Sequence, residues 1–214
     1  MGILKIVDLS NLVSSISRLQ YLVVDYAVDG IYLYISDAAT GAIIVFDVAS
    51  NRGFRIVLPQ FVTSGSEIRD VLYLLLIRSS GTSIIYFTFL GSNKLFSIKA
   101  SHLKNESAEG LVDEIGNKIN KIVMLGTDNG SAIFFRNTGE SDVYMWNVEL
   151  SFRPENFLLV QKGNECRLPT QVFPGYKKLM WVIESNFHDY IQNKVGCTGP
   201  SMSLHPLLKS SRDC

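Results

Sequence analysis

An apolar run, a short polar turn and a second apolar run recur four times along this chain, about 50 residues apart. The copies are Tyr32–Ile35 with Ile43–Phe46, Ile84–Phe87 with Lys94–Ser97, Ile133–Phe135 with Val143–Trp146, and Met180–Ile183 with Tyr190–Ile191. The first and third overlay without a gap, YLYISDAATGAIIVFDV (32–48) on AIFFRNTGESDVYMWNV (132–148). Each places Asp or Asn in the turn (Asp37, Asn137) and another after the second run (Asp47, Asn147). Hairpins rich in β-branched and aromatic residues, repeated at this period, are the mark of propeller blades. One blade cannot bury its own faces, so the repeat predicts stacked sheets rather than a string of independent domains.

The 214 residues suffice for one large all-β domain. With 47% hydrophobic and 19% charged residues the chain can build a core, which excludes a disordered protein. Its 20 basic and 20 acidic residues cancel, and neither sign forms a long block, which argues against a nucleic-acid partner. The longest apolar run, Val71–Ile77, suits a buried strand and is too short to cross a bilayer, so no membrane partner is expected. The opening MGILKIVDLSN is not a signal peptide, because Asp8 interrupts a short apolar stretch. Ile6 stands where myristoylation needs Ser or Thr. The sequons Asn105-Glu106-Ser107 and Asn129-Gly130-Ser131 fall in polar connecting segments and mark Asn105 and Asn129 as candidate glycosylation sites. Three cysteines, Cys166, Cys197 and Cys214, are too widely spaced for a zinc site. Their odd count leads us to expect one disulfide within the C-terminal tail and one spare thiol.

Strand patterns place blade-like units near 22–58, 68–100, 120–150 and 168–193, within a propeller region spanning 1–196. Leu4–Val7 reads as a further strand, and SNLVSSISRL after it as a loop or a turn of helix. Between Ser101 and Lys121 the apolar spacing is compatible with a helix, but Gly110 and Gly116 favour a long loop, with a short helix as the alternative. The tail 197–214 carries Pro200 and Pro206 and no strand pattern, so it is expected to be irregular. Trp146 and Trp181 are read as blade packing at equivalent repeat positions, and His102, His188 and His205 as solvated loop residues. Three units and part of a fourth leave either a tight four-bladed ring or a piece of something larger.

The blade phrases resemble the Yellow / major royal jelly protein family. Tyr34-Ile35-Ser36-Asp37 followed by Gly41 to Asp47 is similar to that family's "Y-I-A-D…G-x-I-V-Y-D" hairpin. Asp70-Val71-Leu72-Tyr73 stands at its "D-G-x-x-G-x-A-L" strand, without the glycines. Leu95–Ile98 with Leu103–Glu106 resembles "F-S-V…L-R-N-E". Asp142–Asn147 resembles "A-V-x-C-W-N", with Met145 in place of the cysteine. Pro169-Thr170-Gln171 and Leu179–Asn186 resemble "P-T-D/Q…L-W-V-L-S-N". The resemblance implies a six-bladed β-propeller of roughly twice this length. This chain would supply three to four blades from its C-terminal half, as a fragment or a diverged member. It also implies a secreted, extracellular protein.

In salivary members of that family the central channel holds a biogenic amine such as serotonin. Carried over by motif, the ligand-binding residues become Thr170, Asn186 (or Ser185, in the adjacent register) and Phe187. Hydroxyl and amide oxygens accept from an ammonium group, and an aromatic wall suits an indole or catechol ring. Asp37 and Asp70 are further channel-lining candidates, against the simpler reading of turn carboxylates bonded to their own backbone. No catalytic motif, cofactor site or metal site is expected. The expected function is therefore non-catalytic binding of a small aromatic amine, or a part in cuticle pigmentation, with an oligomeric state the sequence leaves open. The alternatives are a dopachrome-converting or metal-dependent lactonase-like enzyme, and a structural or nutritional secretory protein.

Overall fold

A computed structural model describes residues 6–64, 69–79, 81–163, 166–176, 179–187 and 201–207. The chain divides into two compact units, 1–115 and 116–214. No helix among the described residues is long and apolar enough to cross a membrane.

The first unit holds two four-stranded antiparallel meanders, β1 (Leu19–Ala27) to β4 (Arg52–Val57), and β5 (Leu72–Ser79) to β8 (Asp113–Asn117). Between these come β2 (Gly30–Asp37) and β3 (Ala42–Asp47) in the first meander, and β6 (Thr82–Phe89) and β7 (Lys94–Lys99) in the second. Strand alternation puts every second side chain on one face. Across the first meander Val23, Tyr34, Val45 and Phe54 line up as one cross-strand row. Across the second the corresponding row is Leu74, Phe87 and Phe96. These rows belong to one core that also takes in Ile43, Leu76, Ile85 and Ile98, so each meander buries the face of the other. Two short helices, α1 (Gln60–Thr63) and α2 (Ala100–Lys104), add Val62, Ala100 and Leu103 to it.

At the β1–β2 turn end the same interface turns polar. Asp25 is wholly buried and accepts from Arg78 Nε at 3.1 Å and Ser83 Oγ at 2.9 Å, while Lys104 Nζ lies 3.9 Å from its other oxygen. Arg78 also donates to the Val24 carbonyl at 2.7 Å. A buried carboxylate is tolerated only with such partners, and losing one of them is far costlier than the pair is stabilising. Burial, and after it the Asp25 charge, pushes the nearby Tyr34 phenol far above its ordinary range.

The second unit contains β9 (Ile122–Thr127), β10 (Ala132–Asn137), β11 (Val143–Asn147) and β12 (Phe157–Gln161), then β13 (Leu168–Pro174), β14 (Met180–Ser185) and β15 (Met202–Pro206). They form one seven-stranded sheet in the order β12-β11-β10-β9-β13-β14-β15. It is two antiparallel meanders joined by their innermost strands, which pair in parallel at Val172 and Gly126. Adjacent blades of a propeller approach in this way, first strand beside first strand. Leu125, Phe134 and Val143 from one meander share a core with Val172 and Val182 from the other.

The gap-free overlay of 32–48 on 132–148 maps strand on strand, β2 on β10 and β3 on β11. The carboxyl oxygen of Asp47 accepts the amide of Ala49 at 2.9 Å, and the Asn147 oxygen accepts that of Glu149 at the same distance. Both residues make the same Asx turn. The two tryptophans are not equivalent, however. Trp146 lies on the third strand of its meander, fully buried, whereas Trp181 lies on the second strand of its own and is half-buried. Each indole donates to a nearby carbonyl, of Leu150 and Tyr176 respectively.

Other expectations need correction. The second and third meanders extend to Asn117 and Gln161, because outer strands β8 and β12 follow the apolar hairpins. Between β7 and β8 the chain forms the short helix α2 and a loop, not one long connection. The tail is not irregular throughout, since β15 pairs antiparallel with β14. Its inward positions are Ser203 and His205 while Met202 and Leu204 are exposed, so apolar alternation could not reveal it. Ile6 and Val7 are not in a strand, and Leu4, Lys5 and the Tyr190–Ile191 run lie outside the described residues. The disulfide is not confined to the tail, because Cys166 is disulfide-bonded, and Cys197 and Cys214 lie outside the described residues.

Gly126 has φ of +153°, and a Cβ there would sit 1.8 Å from the Val172 carbonyl oxygen. The parallel junction of β9 and β13 therefore requires glycine. Gly126→Ala should lower the unfolding free energy by about 3 kcal/mol or more, because backbone atoms must move. Gly139→Ala, at φ +83° with nothing near its missing Cβ, should cost only about 1–2 kcal/mol. Denaturant titration of both variants checks the contrast.

Candidate functional site

The residues that the sequence nominates for ligand binding collect at one end of the β13–β14 hairpin. Leu168 pairs with Ser185 and Pro169 with Glu184, and the register then slips so that Gln171 opposes Ile183. Thr170 is the extra residue of this bulge. Bulges re-aim a side chain, and here Thr170 is exposed, its hydroxyl donating to the Ile183 carbonyl at 3.1 Å. Its lone pairs remain able to accept. Ser185 ends β14, and the amide of Asn186 donates to the Ser201 carbonyl at 3.1 Å. Phe187 follows, 61% exposed. One hairpin end thus carries two hydroxyls, a carboxamide and an aromatic ring.

Beneath that end, on the face turned to the neighbouring meander, lies a polar group that the sequence reading missed. Glu184 is buried, accepts from Gln161 Nε2 at 2.8 Å, and has His205 Nε2 at 3.5 Å from its second oxygen. His205 is therefore a half-buried strand residue, not a solvated loop histidine. Arg136 Nε donates to the Pro169 carbonyl at 2.8 Å, tying β10 to the strand that bears Thr170. Nothing in the local sequence signals this cluster, because its members come from β10, β12, β13, β14 and β15. His102 lies in α2, not in a solvated loop, and His188 is outside the described residues.

Asp37 and Asp70 lie in the first unit, each with local work. Asp37 is fully buried and accepts from Ser17 Oγ at 2.6 Å, from the Arg18 amide at 2.8 Å and from the Thr40 hydroxyl. Burial alone would raise its pKa, but these donors and the Arg55 charge outweigh it and hold the carboxyl below the usual carboxylate value. Asp70 accepts the amides of Val71 at 2.7 Å and Gly91 at 3.0 Å, clamping the start of β5 to the turn after β6. Among the described residues no group of three or more His, Cys, Asp or Glu side chains is arranged to hold a metal ion.

Strand meanders in series, two of them joined through their first strands, define a β-propeller architecture. The chain belongs to the major royal jelly protein family, a propeller family whose model matches residues 2–206. It is a Yellow-type propeller. No curated protein matches it significantly. Among solved structures it is similar to virginiamycin B lyase from Staphylococcus aureus, at 16% identity and a TM-score of 0.46, over 89% of this chain and 56% of that one. The catalytically inactive form of that lyase with quinupristin gives the same identity and coverage, with a TM-score of 0.47. The chain thus spans just over half the length of these structures.

The low pKa of Asp37 sets a pH dependence. A carboxyl that titrates lower when folded than when unfolded stabilises the fold fully above the unfolded value, and that contribution is lost as pH falls through the folded value. Asp37→Asn should therefore cost about 1–2 kcal/mol at pH 7. The difference from wild type should shrink below about pH 4, where the unfolded carboxyl begins to protonate. Urea titrations at pH 7, 4 and 3 read this directly.

Proposed function

We propose that this chain is part of a secreted Yellow-type propeller that holds a small aromatic amine, of serotonin or dopamine size, at the mouth of its central channel. What supports the reading is the gathering of Thr170, Ser185, Asn186 and Phe187 at one hairpin end, on top of family membership. In this reading Phe187 forms the wall against the ring, and the oxygens of Thr170, Ser185 and Asn186 accept from the ammonium group. Buried Glu184 and its partners hold β14 in place. Binding is non-catalytic, and the amine leaves unchanged.

Isothermal titration of the purified protein with serotonin and dopamine tests the proposal. Phe187→Ala should weaken binding about tenfold, the value of one aromatic contact with its buried area. A folded protein that gives no heat at millimolar amine removes the amine reading.

Secretion carries a second expectation. Asn105 directly follows α2 and Asn129 lies in the β9–β10 connection, both exposed and within sequons, and Asn129 takes the left-handed conformation that a turn asparagine adopts readily. Expressed through a secretory pathway, the protein should migrate as glycoforms that an endoglycosidase collapses. Asn105→Gln with Asn129→Gln should abolish the shift. Unmodified secreted protein would count against both sites.

A further inference from the structure

The second unit contains a cavity of about 290 Å³ that none of the four nominated ligand residues lines. One wall of it is aromatic, formed by Phe135, Tyr144, Phe152 and Phe157. Phe135 stacks on Tyr144 with centroids 5.8 Å apart, and Phe157 meets Phe135 nearly edge-on at 4.9 Å. Phe152 completes the group, 4.9 Å from Phe157. These rings hold one another, and three of them stand on strands β10, β11 and β12, so the wall is fixed before anything meets it. The volume lies at the lower end of ligand pockets, about 300 Å³, room for one fused ring system.

Neither sign of charge prevails around this cavity. Lys118 lines it, but is only 6% exposed and already has a partner within the chain. Glu140 accepts from Asn137 Nδ2 at 2.8 Å, and Asp142 accepts the Gly163 amide at 2.9 Å. Burial, and after it these two carboxylates, pushes the Tyr144 phenol above its ordinary value, so Tyr144 meets an occupant as a neutral hydroxyl. Charges of both signs are engaged by the protein itself. An ion entering against the rings would give up hydration without gaining a counter-ion. Hydrogen-bonding capacity does remain. The Glu140 contact commits the Asn137 amide nitrogen, which leaves Asn137 Oδ1 as an acceptor on a residue that lines the cavity.

We infer that this cavity is a second ligand site, for a small uncharged aromatic compound bearing one N–H or O–H donor, with its ring against the Phe135, Tyr144, Phe152 and Phe157 wall and its donor turned to Asn137 Oδ1. It shares no residue with the proposed amine site and does not depend on it.

Titration with indole, 1-methylindole, indole-3-acetate and tryptamine, which share one ring system and differ in donor and charge, tests the inference. Phe187→Ala protein is used, so that the proposed amine site does not contribute. Indole should bind about tenfold more tightly than the acid or the amine, each of which brings a charge with no counter-ion. It should bind about fivefold more tightly than 1-methylindole, the scale of one hydrogen bond. Ile119 lines the cavity and is 74% exposed, so the further change Ile119→Trp should block indole binding while the fold survives. The ligand series decides the matter even if that variant does not fold. Equal or tighter binding of either charged compound, equal binding of 1-methylindole, or no binding of indole at millimolar concentration overturns the proposal. So does unchanged indole binding in a folded Ile119→Trp protein.

Discussion

Each meander of this protein is stable only because another covers its apolar face. In the first unit the row Val23, Tyr34, Val45 and Phe54 shares one core with Leu74, Phe87 and Phe96, and neither row has an alternative place to hide from water. In the second unit Phe134 and Val143 share a core with Val172 and Val182, and the join is drawn tight at Gly126. The hairpin ends, turns and clefts are held in place by these cores. Side chains at strand ends can then be spent on polar chemistry, since packing further along the strand keeps the backbone in position.

Both inter-meander cores close with a buried carboxylate: Asp25 with Arg78 and Ser83 in one, Glu184 with Gln161 and His205 in the other. Such groups are satisfied only when both meanders are seated in one register. They therefore add specificity to faces whose apolar contacts alone are tolerant of sliding. In the second unit this brings a rigid polar cluster directly under the hairpin end that bears Thr170 and Phe187. The proposed amine contacts are thus mounted on strands, and only Asn186 and Phe187 extend past them.

How far the sequence could be read depended on which strand was in question. Inner and middle strands announce themselves through runs such as Leu72–Ile77 and Ile43–Phe46, because both of their faces are covered. Outer strands do not. β8 is Asp113-Glu114-Ile115-Gly116-Asn117, and β15 turns Ser203 and His205 inward, so neither shows the alternation that marks a half-buried strand. The nominated residues at 170 and 185–187 were found through family phrases, and the bulge that re-aims Thr170 was not visible. Arg136, Gln161, Glu184 and His205 carry no motif at all, being spread over some 70 residues of chain.

The amino-acid sequence by itself determined the repeat, the all-β class and the family. These follow from local alternation and turn chemistry, which adjacent residues encode. It also set the Asx turns at Asp47 and Asn147, whose hydrogen bonds close within two residues. Tertiary structure alone decided which distant groups meet: the Asp25 and Glu184 clusters and the parallel pairing at Gly126. Those contacts join residues far apart in the chain, and their geometry exists only once one sheet face has been pressed against another.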